Sequence, residues 1–525
     1  VQADVMRSEA ILSQGSTRAK SAPWSRNQLL GLMVTIVLAV FLSFYNLSLY
    51  PRTWFDEGAH LHVPKALVTR GVYADVSAEG LRHYGPTIGV GPTVMLPVAA
   101  MFGVWGVGLN QARTVMALYL LLALVAVFLL ARHLLPGPAA LVAVAALLTA
   151  PGVGLIEYGR QVLGEVPALF FLALGLWVWF KSWDAADWPR LTLAGVLFGL
   201  ACVTKNQYLL VLAPTLSLSL ALNWLYYRNL PPRAFLVTGV VTALVYAIWY
   251  VVLLVYLGPA TIDENVRYLR EATAGAALVF DPELMSRSLT SLIRASVYLG
   301  ALLPAVLYGT LLVFPRRRDT QQWSVLVVFV IINLAWYVIA SIGWIRYAFP
   351  ALALASLMVG RFFYDLTIGF WWPAQWKLAG LRTSEAVRAG LMVWMIAMLV
   401  VSGVRTAWDV LVPPPDDPAA MAVVMNQRVP LDVVVETWEP EMGFLTDHIY
   451  HYPPSGLLNA AVGHIWQDAE SPSARYFPQL QVTAPLYVLE GEFARWVDIY
   501  PNTWLATHYR LIEEVGAYRL YERLP

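Results

Sequence analysis

"QLLGLMVTIVLAVFLSFYNLSLYPRTWFDEGAHLHVPK", Gln28 to Lys65, frames the reading of the whole chain. About twenty mostly apolar residues suffice to cross a bilayer, and residues 28 to 50 supply them. After the aromatic boundary of Tyr50, Trp54 and Phe55 come two adjacent carboxylates, Asp56 and Glu57. A basic leader with Arg7, Arg18, Lys20 and Arg26 precedes the apolar run. The run is longer than a signal-peptide core and has no clear small-residue cleavage site, so it reads as an uncleaved signal anchor.

The remaining composition agrees with a membrane protein. Of 525 residues, 58% are hydrophobic and only 13% charged, about half the charge of a soluble domain. Further spans are expected near 113 to 131, 138 to 156, 163 to 180, 190 to 203, 206 to 227, 234 to 257, 294 to 314, 322 to 341, 346 to 363 and 387 to 411. With the first, that makes about eleven. The Gly- and Pro-rich stretch from Val90 to Val107 reads as a re-entrant or interfacial helix instead. Counting it as a span would place Arg316, Arg317 and Arg318 outside, against the rule that cytoplasmic loops carry the excess of Lys and Arg. Eleven spans put the N-terminus inside, the basic loops inside and everything after Pro413 outside.

The net charge of +1 conceals two unlike parts. Up to Pro413 there are 29 basic and 19 acidic residues, and after it 6 and 15. Once the arginines flanking apolar segments are set aside no basic domain is left, which excludes a nucleic-acid partner. The single cysteine, Cys202, excludes a disulfide scaffold. The expected fold is an all-α polytopic module with a small α/β domain outside. Residues 1-27 form a cytoplasmic segment, and 28-412 the membrane module with a long first outer loop, 51-112, and a second, 258-293. Residues 413-525 form the outer domain, opened by the stiff run Pro413, Pro414, Pro415. Its strands are "LDVVVETW", "PLYVLEG" and "AYRLYERL".

Ionisable groups beside membrane spans are costly and point to function. Here they collect at the outer level: Asp56 and Glu57 after span one, Glu157, Arg160 and Glu165 around the turn between spans three and four, Lys205 between spans five and six, and Arg346 at the start of span ten. The second outer loop adds Asp263, Glu264, Arg267 and Arg270. Carboxylates that take a hydroxyl proton and cations that neutralise a departing phosphate are what sugar transfer from a lipid phosphate needs. Several of these residues also have a plain structural account. Glu157, Arg160 and Glu165, spaced at about one helical turn, could form a structural salt bridge, Lys205 could snorkel to the interface, and Arg346, beside Trp344 and Tyr347, could anchor there. His60 and His62 invite a metal reading, but their i, i+2 spacing points two ways on a helix. No cofactor is expected, a divalent metal being the one alternative.

"WFDEGAHLHVPKALVTRGVYA" from Trp54 resembles the first outer loop of GT-C glycosyltransferases, particularly the bacterial relatives of protein O-mannosyltransferases and of the lipid A aminoarabinose transferase. "GVGPTVMLP" from Gly89, "NQAR" from Asn110, "GRQVLGEVPALFF" from Gly159, "GLACVTKNQYLLVLAP" from Gly199 and "RYAFPALALASLMVG" from Arg346 are similar to the same group, in the same order, over residues 28 to 410. The resemblance implies a polyprenyl-phosphate sugar donor, inverting single displacement and a catalytic acidic residue at Asp56, with Glu57 beside it. It assigns Arg160, Glu165, Lys205 and Arg346 to the substrate site, to which His60, Arg267, Arg270 and Tyr347 are added as neighbours. Where many relatives have Thr-Lys-Gly, this chain has Thr204, Lys205 and Asn206.

The function expected is therefore glycosyl transfer to an acceptor outside a bacterial inner membrane: a protein hydroxyl, a lipid or a glycan. The partners are membrane lipid, the lipid-linked donor and that acceptor. A transporter or flippase of lipid-linked sugar would show repeats and mid-bilayer charges, and a non-catalytic subunit with a partner-binding tail would need no acid at Asp56.

Overall fold

The apolar runs become helices along the whole membrane module. The computed structural model describes residues 24–83, 89–183, 187–294, 297–370, 383–454 and 456–525, so most of the basic leader lies outside the described residues. Every expected span contains an apolar helix, although in 138–156 and 294–314 it covers only part of the range. Eight are long and apolar enough to cross a membrane: Arg26–Phe44, Leu109–Leu134, Glu165–Ser182, Gln207–Tyr227, Arg233–Leu257, Arg318–Ala340, Ile345–Leu366 and Thr383–Leu411. Gly137–Thr149, Trp188–Thr204 and Leu302–Leu311 are shorter apolar helices. Val37 and Val255 are among many apolar side chains exposed on the outward faces, an arrangement stable against lipid rather than water.

Small residues let these helices approach. In "GVLFG" a Cβ on Gly195 would lie 2.7 Å from the Thr238 carbonyl, and one on Gly199 2.5 Å from the Val245 Cβ. Trp188–Thr204 therefore packs directly on Arg233–Leu257 in the small-xxx-small manner. Thr238 and Thr242 donate across the seam to the carbonyls of Leu191 and Gly195.

The stretch from Val90 forms the helix Pro92–Trp105, a shorter apolar helix like the three above and about 21 Å long at 1.5 Å per residue. Its start is pinned to the C-terminal end of Trp188–Thr204. Gly91 donates to the Thr204 carbonyl at 3.1 Å, and a Cβ on Gly91 would meet the Val203 carbonyl at 1.9 Å. Glycine is required there by that approach.

The first outer loop is a helix, Phe55–Arg70, followed by a hairpin of β1 (Ala74–Ser77) and β2 (Gly80–His83). The tail is an α/β unit around a five-stranded sheet of β3 (Val434–Thr437), β4 (Ile449–His451), β5 (Tyr487–Glu490), β6 (Tyr509–Val515) and β7 (Tyr518–Arg523). The order is β4-β3-β5-β7-β6. β3 is parallel to β4 and β5, and β7 is antiparallel to β5 and β6. The three strands expected from alternation are β3, β5 and β7. β4 and β6 were not anticipated: the first is three residues long and the second carries Glu513 and Glu514 with little apolar alternation.

The tail does not hang free from its proline linker. Its helix Pro440–Leu445 lies against Phe55–Arg70, and a Cβ on Gly58 would sit 2.3 Å from the backbone of Glu441. Lys65 Nζ donates to the carbonyls of Gly443, Phe444 and Thr446, at 3.2, 3.3 and 2.9 Å, and to Asp447. A cation thus serves the carbonyl end of that helix from across the junction. His62 Nε2 meets the Pro440 carbonyl at 2.6 Å, and Ala78 donates to the Tyr450 carbonyl of β4.

Candidate active site

Four charged side chains from four separate segments converge beneath the tail. Asp56 lies in the first turn of Phe55–Arg70, Glu165 opens the helix Glu165–Ser182, Lys205 ends Trp188–Thr204, and Arg346 lies in a short 3-10 turn before Phe349–Leu366. Arg346 Nη1 lies 2.5 Å from Asp56 Oδ2, and its Nε 2.5 Å from Glu165 Oε1. Lys205 Nζ is 2.9 Å from the same Glu165 oxygen. Glu165, Lys205 and Arg346 have side chains at most 9% exposed, while Asp56 is 28% exposed. Asp56 is therefore the member that a substrate can reach. The other Glu165 oxygen, Oε2, is buried and makes no hydrogen bond to a described group.

Local sequence explains the geometry. The Lys205 backbone is extended (φ −146°, ψ 109°) and forms an isolated bridge with Val90, which turns its side chain under Pro92–Trp105. Gly164 allows this, since a Cβ there would press on the Thr204 carbonyl at 2.9 Å. Asn206, in place of the relatives' glycine, is right-handed helical (φ −54°, ψ −31°). Any residue adopts that conformation, so the departure from Thr-Lys-Gly leaves the bend intact. Arg346 is held between the rings of Trp344, 5.1 Å away, and Tyr158, 5.9 Å away, and Tyr347 stacks on Trp336.

His60 lies one turn after Asp56 on the first-loop helix and is buried. Its Nδ1 meets the Val162 carbonyl at 2.7 Å. Burial pushes the imidazole down to about 4, with the nearby cations Lys205 and Arg346 adding to the fall and Asp56 opposing it. A neutral ring must carry its hydrogen on Nδ1 to donate to that carbonyl.

Two expectations need correction. Glu57, grouped with Asp56, is fully buried and turned away from it. Arg113 donates to both its oxygens at 2.9 and 2.6 Å, and Val162 donates to one of them. Arg113, in the "NQAR" motif, also holds the Leu47 carbonyl. Glu57 therefore fastens the loop to the membrane helices and presents no surface to a substrate. Arg160 is likewise fully buried, donating to the carbonyls of Leu42 and Tyr45. Among the described residues it pairs with no carboxylate: residues 161–164 break the helix between it and Glu165, so the assumed one-turn spacing does not exist. Arg267 and Arg270 are exposed on the amphipathic helix Pro259–Ala272, and no described ion pair joins them to the cluster. Among the described residues no three His, Cys, Asp or Glu side chains gather as a metal ligand set.

Polytopic helices thus carry two acids and two cations at one end, beneath a soluble domain. The family model for dolichyl-phosphate-mannose-protein mannosyltransferase matches residues 90–252, a segment that contains Glu165 and Lys205. The fold is similar to that of ArnT from Cupriavidus metallidurans bound to undecaprenyl phosphate, at TM-score 0.61 and 15% identity over 94% of this chain and 98% of that one. It is also similar to the oligosaccharyltransferase AglB from Archaeoglobus fulgidus in complex with an inhibitory peptide and a dolichol-phosphate, at TM-score 0.61 and 12% identity over 95% of this chain and 74% of that one. No curated protein matches the chain in sequence. The chain shares its fold with these membrane glycosyltransferases, and residues 90–252 match the mannosyltransferase family model.

Proposed function

We propose that this multi-pass membrane protein moves one sugar from a polyprenyl-phosphate donor to an acceptor on the outer face of a bacterial inner membrane, with inversion. The observation that carries the reading is the shared Arg346: one guanidinium touches the accessible carboxylate Asp56 and the buried carboxylate Glu165. Asp56 accepts the acceptor hydroxyl proton as the oxygen attacks the anomeric carbon. The bond from that carbon to the donor phosphate breaks, and the departing phosphate carries the bonding electrons. Arg346 and Lys205 neutralise it. Glu165 holds both cations at the right depth and is a positioning residue. The ArnT and AglB structures, which hold a polyprenyl phosphate and a dolichol-phosphate, support this class of donor. Basic inside loops support the orientation, and no step of the reading calls for a cofactor.

A labelled polyprenyl-phosphate sugar incubated with purified protein and membrane extract as acceptor source tests it. Asp56→Asn is expected to lower transfer at least about a hundredfold, the usual scale for a general base, while the protein still inserts. Near-normal transfer by that variant would refute the assignment.

A further inference from the structure

Beside the charged cluster, four tryptophans from four parts of the chain run in contact from the membrane module onto the tail. Trp54, two residues before Asp56, meets Trp344, two before Arg346, with ring centres 5.8 Å apart. Trp344 lies nearly parallel to Trp466 at 6.2 Å, and Trp466 reaches Trp496 at 6.2 Å. None of the four is buried, and Trp496 is 48% exposed. Packing alone would place such large rings inside.

Trp54 and Trp496 also line a small pocket of about 30 Å³ between the first loop and the tail, whose wall includes Glu439 and Glu441. Both carboxyls are buried. Glu439 is held by the backbone amides of Phe493 and Ala494, and Glu441 Oε1 accepts from Tyr518 at 2.5 Å. Glu441 Oε2 is buried. The carboxyl of Glu439, which burial and the neighbouring Glu441 keep protonated, lies beside it as a donor.

Flat indole faces beside carboxylate acceptors match the two halves of a pyranose: its C–H face lies on an aromatic ring and its hydroxyl rim donates to oxygen. We propose that Trp54, Trp344, Trp466 and Trp496, with Glu439 and Glu441, form a carbohydrate-binding track that holds a sugar ring of the acceptor next to Asp56. The assignment of the bound sugar to the acceptor rests on the transfer reading above. Sugar binding by the track does not.

The test is saturation-transfer NMR on the full-length protein in a detergent without a sugar head group. The probes are methyl glycosides of glucose, galactose, mannose and N-acetylglucosamine, with n-propylammonium as the cationic control. Saturation is expected on the C–H protons of at least one glycoside. Trp496→Ala should weaken the transfer by about two- to tenfold, the scale of one aromatic contact, and Trp496→Phe should restore most of it. Thermal midpoints of both variants report that they are folded. No transfer to any glycoside, equal transfer in Trp496→Ala, or transfer to propylammonium alone would overturn the proposal. Donor cleavage is assayed separately: protein that cleaves donor but binds no glycoside refutes the track and keeps the transfer reading, whereas protein that binds glycosides but leaves donor intact refutes the transfer reading and keeps the track.

Discussion

Removing Arg113 should cost this protein several kcal/mol, about the scale of breaking any buried ion pair from one side. Arg113 and Glu57 have no exposed side-chain surface. The guanidinium makes two parallel hydrogen bonds to the carboxylate and a third, at 3.0 Å, to the Leu47 carbonyl. Arg113→Met keeps the length of the side chain and strands a buried carboxylate. Breaking such a pair from one side costs about 3–5 kcal/mol, and the orphaned Leu47 carbonyl adds about 1 kcal/mol. Glu57→Gln keeps an acceptor for the Val162 amide but still leaves a buried cation. The double variant, Glu57→Gln with Arg113→Met, removes both charges and should recover at least about 2 kcal/mol of the single-variant loss. Reversible unfolding by sodium dodecyl sulfate in mixed micelles, followed by tryptophan fluorescence, measures all three. An Arg113→Met variant within about 0.5 kcal/mol of wild type, the ordinary scatter for surface changes, would refute the clamp. So would a Glu57→Gln variant of wild-type stability that no longer transfers sugar, which would return Glu57 to the chemistry.

Gly58→Ala places a methyl 2.3 Å from the Glu441 backbone, so the tail should lift from the first loop. Faster amide exchange over residues 440–445, with the membrane helices unchanged, reports it. Lys65→Met removes the donor to three carbonyls and should expose the same segment to protease, with a loss of about 1–3 kcal/mol for those unsatisfied groups. His60 titrates near 4 when folded and near 6.5 when unfolded, so the unfolded chain binds more protons between those values. Its contribution is full above about pH 6.5 and falls, by up to about 3 kcal/mol, as pH drops toward 4. His60→Asn should flatten that slope in unfolding titrations, and an unchanged slope would place the titration elsewhere. Burial, followed by the charge of Glu441, raises Glu439 well above the ordinary carboxylate range. Glu439→Gln should therefore stabilise the tail increasingly as pH rises above about 4.5, where the unfolded carboxyl has lost its proton.

The membrane helices were legible because apolar runs of fixed length are a direct physical requirement of the bilayer. The cluster was half legible. Asp56, Glu165, Lys205 and Arg346 fall at one level once the spans are oriented, and the structure joins them through Arg346. The partner of Glu57 was within reach: Arg113 begins an apolar helix, where a cation requires an acid nearby. Arg160 misled because a helical spacing was assumed across Gln161–Gly164, where the backbone is extended at Gln161. The tail's seat on the first loop was not legible. Lys65 and His62 bond to backbone carbonyls of Pro440–Leu445, and a carbonyl carries no signature in the sequence.

That seat changes what the first loop does. The side chain of Asp56 faces Arg346, while the carboxylate next to it in sequence, Glu57, is locked to Arg113 and the glycine after that, Gly58, is pressed against the tail. Three consecutive residues thus face the reactive cluster, the membrane helices and the soluble domain. A shift of the tail would have to move the helix Phe55–Arg70, and with it Asp56, the proposed base. Holding a reacting group to within a fraction of an ångström is worth orders of magnitude in rate, so Gly58→Ala should depress transfer even though it touches no substrate. The refuting result is a variant whose tail exchanges freely at 440–445 while transfer stays at the wild-type rate.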